Sequence, residues 1–292
     1  MYKELRMPLS TFSPDSYTTL LAAKEERLQE LLSPFKAPPL DVYASPTSGF
    51  RMRAEFRFWH EDHDSNYVMF AKGQPDIPIV IEDFPIAHAQ INDCMKRLKP
   101  EIVKNDELRS RLFQVEFLSG LSGDMLATLI YHRRLGDEWI AQAKQLEEKL
   151  GIAILGRSRK QKLVLSRDHI NEELNVNGKT FSYQQVEGSF TQPNAKINEK
   201  MLNWARAHTT NSKNDLLELY CGNGNFTAVL AQNFRQVMAT EISKTSVRSA
   251  HLNFANNGIS NVKICRMSSE DFTSALNGER EFRRLQQQEI NL

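Results

Sequence analysis

The stretch "DLLELYCGNGNF", Asp215 to Phe226, constrains the fold more than any other part of the chain. An apolar run climbs into a Gly-x-Gly turn, and helix-forming sequence follows. The surroundings repeat this pattern. "NAKINEKMLNWARAHTT" reads as a helix, and a second helix covers Thr227–Asn233. "QVMATEIS" is a strand, Lys244–Asn257 a helix, and "NVKICRM" a strand. Such βαβαβ alternation specifies a parallel sheet with crossover helices, because parallel neighbours cannot be joined by a tight turn.

Before about Thr191 the chain has a different character. "SPDSYTTLLAAKEERLQELL" reads as an amphipathic helix, with Tyr17, Leu20, Leu21, Leu28, Leu31 and Leu32 at helical spacing and Pro14 suited to the first turn. Pro34, Pro38 and Pro39 end it. "GFRMRAEFRFWHEDHDSNYVMFAKG" predicts two strands around a polar turn, and "LFQVEFLS" and "DMLATLIYH" two more. Helical segments are expected near Ile86–Leu98 and Glu101–Arg109, and a further helix over "GDEWIAQAKQLEEKL" that stops at Gly151. "IAILGRS", "QKLVLSR" and "TFSYQQV" complete the strands. The expected organisation is therefore α/β. An antiparallel α+β domain over residues 1–190 precedes a Rossmann-like domain over residues 191–292, with the boundary near 187–192.

The 292 residues suit two domains. A net charge of +1 excludes a strongly basic protein but leaves room for a basic face. Three widely spaced cysteines, Cys94, Cys221 and Cys265, make neither a disulfide framework nor a metal pattern, which fits a reducing, cytoplasmic compartment. No apolar run reaches the length needed to span a bilayer, and no signal-peptide core opens the chain. No membrane partner is expected, and a monomer is.

The glycine turn carries the first chemistry. Gly222 and Gly224 let a ligand approach the backbone. Position 227 is Thr, where the dinucleotide fingerprint has its third glycine, so a ligand without pyrophosphate fits better. Glu241 ends the next strand, where a carboxylate can accept from both hydroxyls of a ribose. The alternative is that Glu241 only caps the following helix. A Gly-x-Gly turn plus this acid, without a phosphate loop, points to S-adenosylmethionine.

"FTQPN" (Phe190–Asn194), "LLELYCGNGNF" and "ATEIS" together resemble the RNA uridine-5-methyltransferases. "FRMRAEFRFWH" and "QVEGSFTQPNA" narrow the resemblance to the bacterial tRNA-modifying branch, which makes 5-methyluridine in the T-loop of tRNA and in the similar loop of transfer-messenger RNA. The resemblance implies a class I S-adenosylmethionine methyltransferase fold. It also implies that Gln192, Tyr220, Asn225 and Glu241 contact the cofactor. In that family a cysteine adds to C6 of uracil, C5 takes the methyl group, and a base removes the C5 proton. The motifs carrying that cysteine ("SCNP"-type), a further cofactor-contacting Asp ("DPPR"-type) and the basic Glu are absent from this sequence. The expectation is an incomplete half-sheet with an exposed first strand, and a chain that lacks its catalytic part and is inactive. Cys94, Cys221 and Cys265 are expected to fill small buried apolar roles.

In "FRMRAEFRFWH", Arg51, Arg53, Glu55, Arg57 and Trp59 share one face of a strand, and Phe50, Met52, Ala54, Phe56 and Phe58 the other. The polar face offers guanidinium groups for phosphates and a ring for stacking; an ordinary solvated strand is the alternative. Phe113, near Arg109 and Arg111, is a second candidate RNA contact, since an aromatic can fill the gap left by a flipped base. "HEDHDSN" reads as a hairpin turn and not a metal site, and no cysteine cluster suits an iron–sulfur centre. A different class of function also fits the first half: a tRNA-binding or RNA-folding module that performs no chemistry.

Overall fold

The computed structural model describes residues 13–71, 73–74, 77–210, 212 and 214–282. The chain divides into two units. One comprises residues up to Ser119, Met125–Asp168 and Pro193–Ile197; the other comprises Gly120–Asp124, His169–Gln192 and the chain from Asn198 on.

The first unit begins with α1 (Tyr17–Leu32), which follows a 3-10 turn at Pro14–Ser16 capped by the Ser13 side chain. The expected amphipathic helix is present, but none of its residues is buried, and Leu28 and Leu31 are exposed. The unit is built on a seven-stranded sheet of order β3-β2-β1-β4-β5-β6-β7 among the described residues. Its strands are β1 (Arg53–Glu61), β2 (Asp64–Phe70), β3 (Pro78–Val80), β4 (Leu112–Ser119), β5 (Met125–Tyr131), β6 (Ala153–Ser158) and β7 (Gln161–Val164). The pairs are antiparallel except β5 and β6, which run parallel. A 14-residue helix, α4 (Asp137–Leu150), makes that crossover, as a parallel pair requires.

α2 (Ala89–Val103) and α4 cover one face of the sheet, burying Ile91, Met95, Leu98 and Trp139 against Phe56, Val115 and Phe117. The sequence splits the region after Ile86 at Pro100, yet α2 runs through Pro100 to Val103. The break falls instead at Asn105, whose side chain accepts from the Leu108 amide and caps the short α3 (Asp106–Arg109).

The second unit contains an antiparallel hairpin, β8 (His169–Val176) with β9 (Lys179–Val186), and a parallel sheet of order β10-β11-β12. β8 escapes the sequence reading because its outward positions are Asn and Glu residues, while Ile170, Leu174 and Val176 are buried. The parallel strands are β10 (Leu216–Glu218), β11 (Val237–Thr240) and β12 (Val262–Cys265). The helices are α5 (Ala195–His208), which enters from the first unit, then α6 (Asn225–Leu230), α7 (Lys244–Asn256) and α8 (Ser269–Leu276). α8, which the sequence reading omits, is capped by the Ser268 side chain. Among the described residues, β10 and β12 are the two edge strands of this sheet.

Candidate cofactor and RNA sites

The glycine turn lies at the carboxyl end of β10, where open α/β sheets place their ligands. Tyr220, Gly222 and Gly224 all have positive φ, at 58°, 58° and 80°. The Cys221 amide donates to the Thr240 carbonyl at 2.9 Å, and the Gly224 amide to the Cys221 carbonyl at 2.9 Å, so the turn is stapled to β11 and to itself. A Cβ at Gly224 would stand 2.6 Å from Phe254 Cε1 of α7, so only glycine fits that position. A Cβ at Gly222 would meet nothing within 4 Å. The space above Gly222 is thus open, as a ligand cradle requires.

Glu241 follows β11 directly. Its Oε2 accepts from the Gly222 amide at 3.0 Å and its Oε1 from the Ser243 amide at 2.7 Å. Ser243, not Glu241, is the N-cap of α7, accepting from the Ser246 amide. Helix capping therefore does not account for the acid. Each oxygen of an ionised carboxylate can accept a further hydrogen bond beyond these. Ile242, next in sequence, is 66% exposed, and Tyr220 is 65% exposed. Two apolar surfaces thus flank the carboxylate–glycine contact in sequence.

The other expected cofactor residues belong to the same unit. Asn225 opens α6, and its side-chain amide exchanges two hydrogen bonds with Asn198 of α5, at 3.0 and 2.8 Å. The Asn225 carbonyl accepts from the buried Tyr183 hydroxyl at 2.9 Å. The Tyr220 hydroxyl donates to Glu270 at 2.6 Å, a bond that holds the Glu270 carboxyl below its ordinary range. Gln192 is half-buried in the coil between β9 and α5. At the end of β10, beneath the turn, burial pushes the Glu218 carboxyl up to about 7.

The three cysteines are free and buried. Burial, with the nearby Glu218 and Glu241 carboxylates, pushes the Cys221 thiol far above its usual range. Burial lifts Cys94 to about 12. Nucleophilic addition needs a thiolate, and such thiols stay protonated near neutral pH.

In the first unit, β1 alternates as read from the sequence. Met52, Ala54, Phe56 and Phe58 are buried. Arg53, Glu55, Arg57 and Trp59 take the other face, Glu55 and Arg57 being exposed. Arg51 precedes the strand and turns its Nε to the Arg53 carbonyl at 2.9 Å. Phe113 lies at an irregularity in the β4–β5 register. Its half-buried ring stacks on His132 at 3.9 Å, and the Arg57 guanidinium covers it at 3.4 Å. The structure therefore joins Arg57 and Phe113, which the sequence reading kept apart, and adds His132. Arg109 serves the "HEDHDSN" turn, donating to the Asp62 and Asp64 carbonyls at 2.7 Å. That stretch is the β1–β2 hairpin. Among the described residues, no group of three or more His, Cys, Asp or Glu could hold a metal ion, and no helix is long and apolar enough to cross a membrane.

A parallel sheet with a glycine turn and a carboxylate at its strand ends defines a Rossmann-like ligand-binding unit. Comparison with known proteins places the chain more closely. The sequence model of the tRNA (Uracil-5-)-methyltransferase family matches residues 16–292, and the chain belongs to that family. It is 53% identical over 285 residues to the tRNA/tmRNA (uracil-C(5))-methyltransferase of Vibrio atlanticus, a match covering 96% of this chain and 77% of that protein. It is 52% identical over 277 residues to the protein of the same name from Pseudomonas putida strain GB-1, covering 95% and 77%. In fold it resembles the crystal structure of Pyrococcus abyssi tRNA (uracil-54, C5)-methyltransferase in complex with S-adenosyl-L-homocysteine. That likeness has a TM-score of 0.63 at 17% identity and covers 85% of this chain and 63% of the other.

Proposed function

We propose that the chain binds S-adenosylmethionine and tRNA for methylation of uridine at C5 in the T-loop, and of the similar loop of transfer-messenger RNA. The observation that carries this is the Glu241 carboxylate holding the Gly222 amide beside open space, in a chain half identical to enzymes of that name. S-adenosylmethionine, when bound, supplies an electrophilic methyl group. Glu241 would accept from the ribose hydroxyls, and Gln192 and Asn225 would hydrogen-bond the amino-acid end. Tyr220 would line the pocket. The first unit would act as the RNA-binding part and the second, which takes in residues 169–192 below the expected boundary, as the cofactor part, in the cytoplasm and as a monomer. Arg51, Arg53, Arg57 and Phe113 contact the RNA, the Arg57–Phe113–His132 stack offering a flat surface to an unstacked base.

Addition of a thiolate to C6 would raise electron density at C5, and elimination after methyl transfer would return the thiolate and give the C5 proton to a base. Cys94, Cys221 and Cys265 are all buried, and the Cys94 and Cys221 thiols are also too basic to be that thiolate. The 292 residues therefore bind both substrates without turnover, which also makes a non-catalytic tRNA-binding role open to them. Three measurements on the purified chain test this: S-adenosylhomocysteine binding by calorimetry, tRNA binding across salt concentrations, and transfer of labelled methyl to unmodified tRNA. Both ligands should bind and no label should transfer. Failure to bind either ligand overturns the reading, and robust transfer overturns the assignment of the cysteines.

A further inference from the structure

The first sheet carries a second cationic site beyond the Arg57–Phe113–His132 stack. β5 and β6 run parallel, so their carboxyl ends lie side by side. The segments that follow them wall an open cleft of about 850 Å³. Its lining includes His132, Arg133, Arg134, Arg157, Arg159 and Lys160, and no carboxylate. Arg133 is committed to the fold through an ion pair with Glu107 at 2.6 Å. Arg134, Arg159 and Lys160 are exposed.

Two features mark the cleft as built. Gln161 ties its walls together: Oε1 accepts from the Leu135 amide at 3.0 Å and from the Ser158 hydroxyl at 2.6 Å, and Nε2 donates to the Leu135 carbonyl at 3.2 Å. Arg159 and Lys160 also form the two-residue turn that closes the Ser158–Gln161 pair, and Lys160 is left-handed at φ 62°. Gly or Asn suits such a position, and a lysine there is disfavoured. Clustered like charges add repulsion that an anion would relieve. His132 belongs to both the cleft and the stack, so the two are continuous.

We propose that this cleft takes backbone phosphates of the RNA strand whose bases meet the Arg57–Phe113–His132 stack, with Arg134, Arg159 and Lys160 as the contacts. The proposal rests on the RNA-binding reading above. A polyanion with evenly spaced phosphates fits several exposed cations set around a rigid opening.

The test compares the full 292-residue chain with the triple variant R134S/R159S/K160S, and with K24S/R27S/K36S, which removes the same charge elsewhere. Unmodified tRNA binding is measured across salt concentrations. The cleft variant should bind about 10- to 100-fold more weakly at low salt. Its slope of log affinity against log salt should be shallower by roughly two to three, at about 0.7–0.9 per phosphate contact. S-adenosylhomocysteine affinity should not change. An unchanged slope overturns the proposal, as does an equal loss in the K24S/R27S/K36S control. If wild type itself binds no tRNA, the RNA reading falls and this proposal with it. Lys160→Gly guards against misfolding: it should raise the unfolding midpoint by relieving the left-handed lysine while weakening tRNA binding a few-fold. A midpoint gain with unchanged binding also overturns the proposal.

Discussion

β1 and the Gly222–Gly224 turn both present candidate ligand groups, but by different means. β1 does so with side chains: the pleat sends Arg53, Glu55 and Arg57 outward while Ala54, Phe56 and Phe58 pack the core. An exposed outward residue such as Glu55 packs against no core and can change with little effect on the strand. The turn does so with backbone: three left-handed residues, two staples and the Glu241 carboxylate fix its path. Function and folding are separable in the first region and fused in the second. Substitutions in the turn should therefore cost stability, and those on β1 should cost binding.

The sharpest test of that contrast is Gly224→Ala. Its left-handed backbone costs a β-carbon about 1–2 kcal/mol, and the clash with Phe254 about 1–3 kcal/mol more. Glu55→Ala on β1 should stay within about 0.5 kcal/mol of wild type. Urea denaturation reads both. Equal losses would erase the distinction.

A second effect also arises beneath the turn. Burial pushes the Glu218 carboxyl from its ordinary 4.5 up to about 7 in the folded protein. Between those values the folded protein keeps a proton that the unfolded chain releases. The stabilisation is complete below the unfolded value and is lost as pH rises through the folded one, up to about 3 kcal/mol in all. Glu218→Gln should flatten its share of that decline in urea midpoints between about pH 5 and pH 8. Glu172 of β8, also pushed to about 7 by burial, would keep a slope of the same sign in this variant. A wild-type protein that gains stability over this range would contradict the burial of both carboxyls.

Glu241→Gln is the turn's binding counterpart. It leaves one oxygen to accept an amide but removes the charge that strengthens hydrogen bonds from a ribose. S-adenosylhomocysteine affinity should fall about 10- to 100-fold, the worth of a charged hydrogen bond. Calorimetry measures it, and unchanged affinity would remove Glu241 from the cofactor site.

The same contrast explains what the sequence discloses. The β1 alternation is legible because a period of two in large apolar residues has few other readings. The β10–β11–β12 alternation is legible because the glycine turn punctuates it. β8 is obscured because its outward positions are Asn and Glu residues, which lower its strand propensity. The parallel β5–β6 pair is hidden because periodicity reports a strand's faces and not its direction. The exposure of α1's leucines is equally unreadable, since helical spacing does not say whether another surface covers them. At the sites, Glu241 is named by its position alone. The partnerships of Asn225 with Asn198, Tyr220 with Glu270, and Phe113 with His132 and Arg57 join residues 19 or more apart and have no local signature.

Arg57→Gln carries the smallest expected effect and asks the most of the comparison. The guanidinium lies over Phe113 at 3.4 Å, where a cation–π contact contributes about 0.5–1 kcal/mol at an exposed site. If Arg57 also meets a phosphate, its loss should weaken tRNA binding a few-fold and make the salt slope shallower by about one, while the unfolding midpoint barely moves. If Arg57 only clamps Phe113, the midpoint should fall slightly and the salt slope should stay. The first result makes the outward face of β1 an RNA surface. The second makes it a solvated strand holding its own aromatic stack, and RNA recognition would then rest on the cleft beside His132.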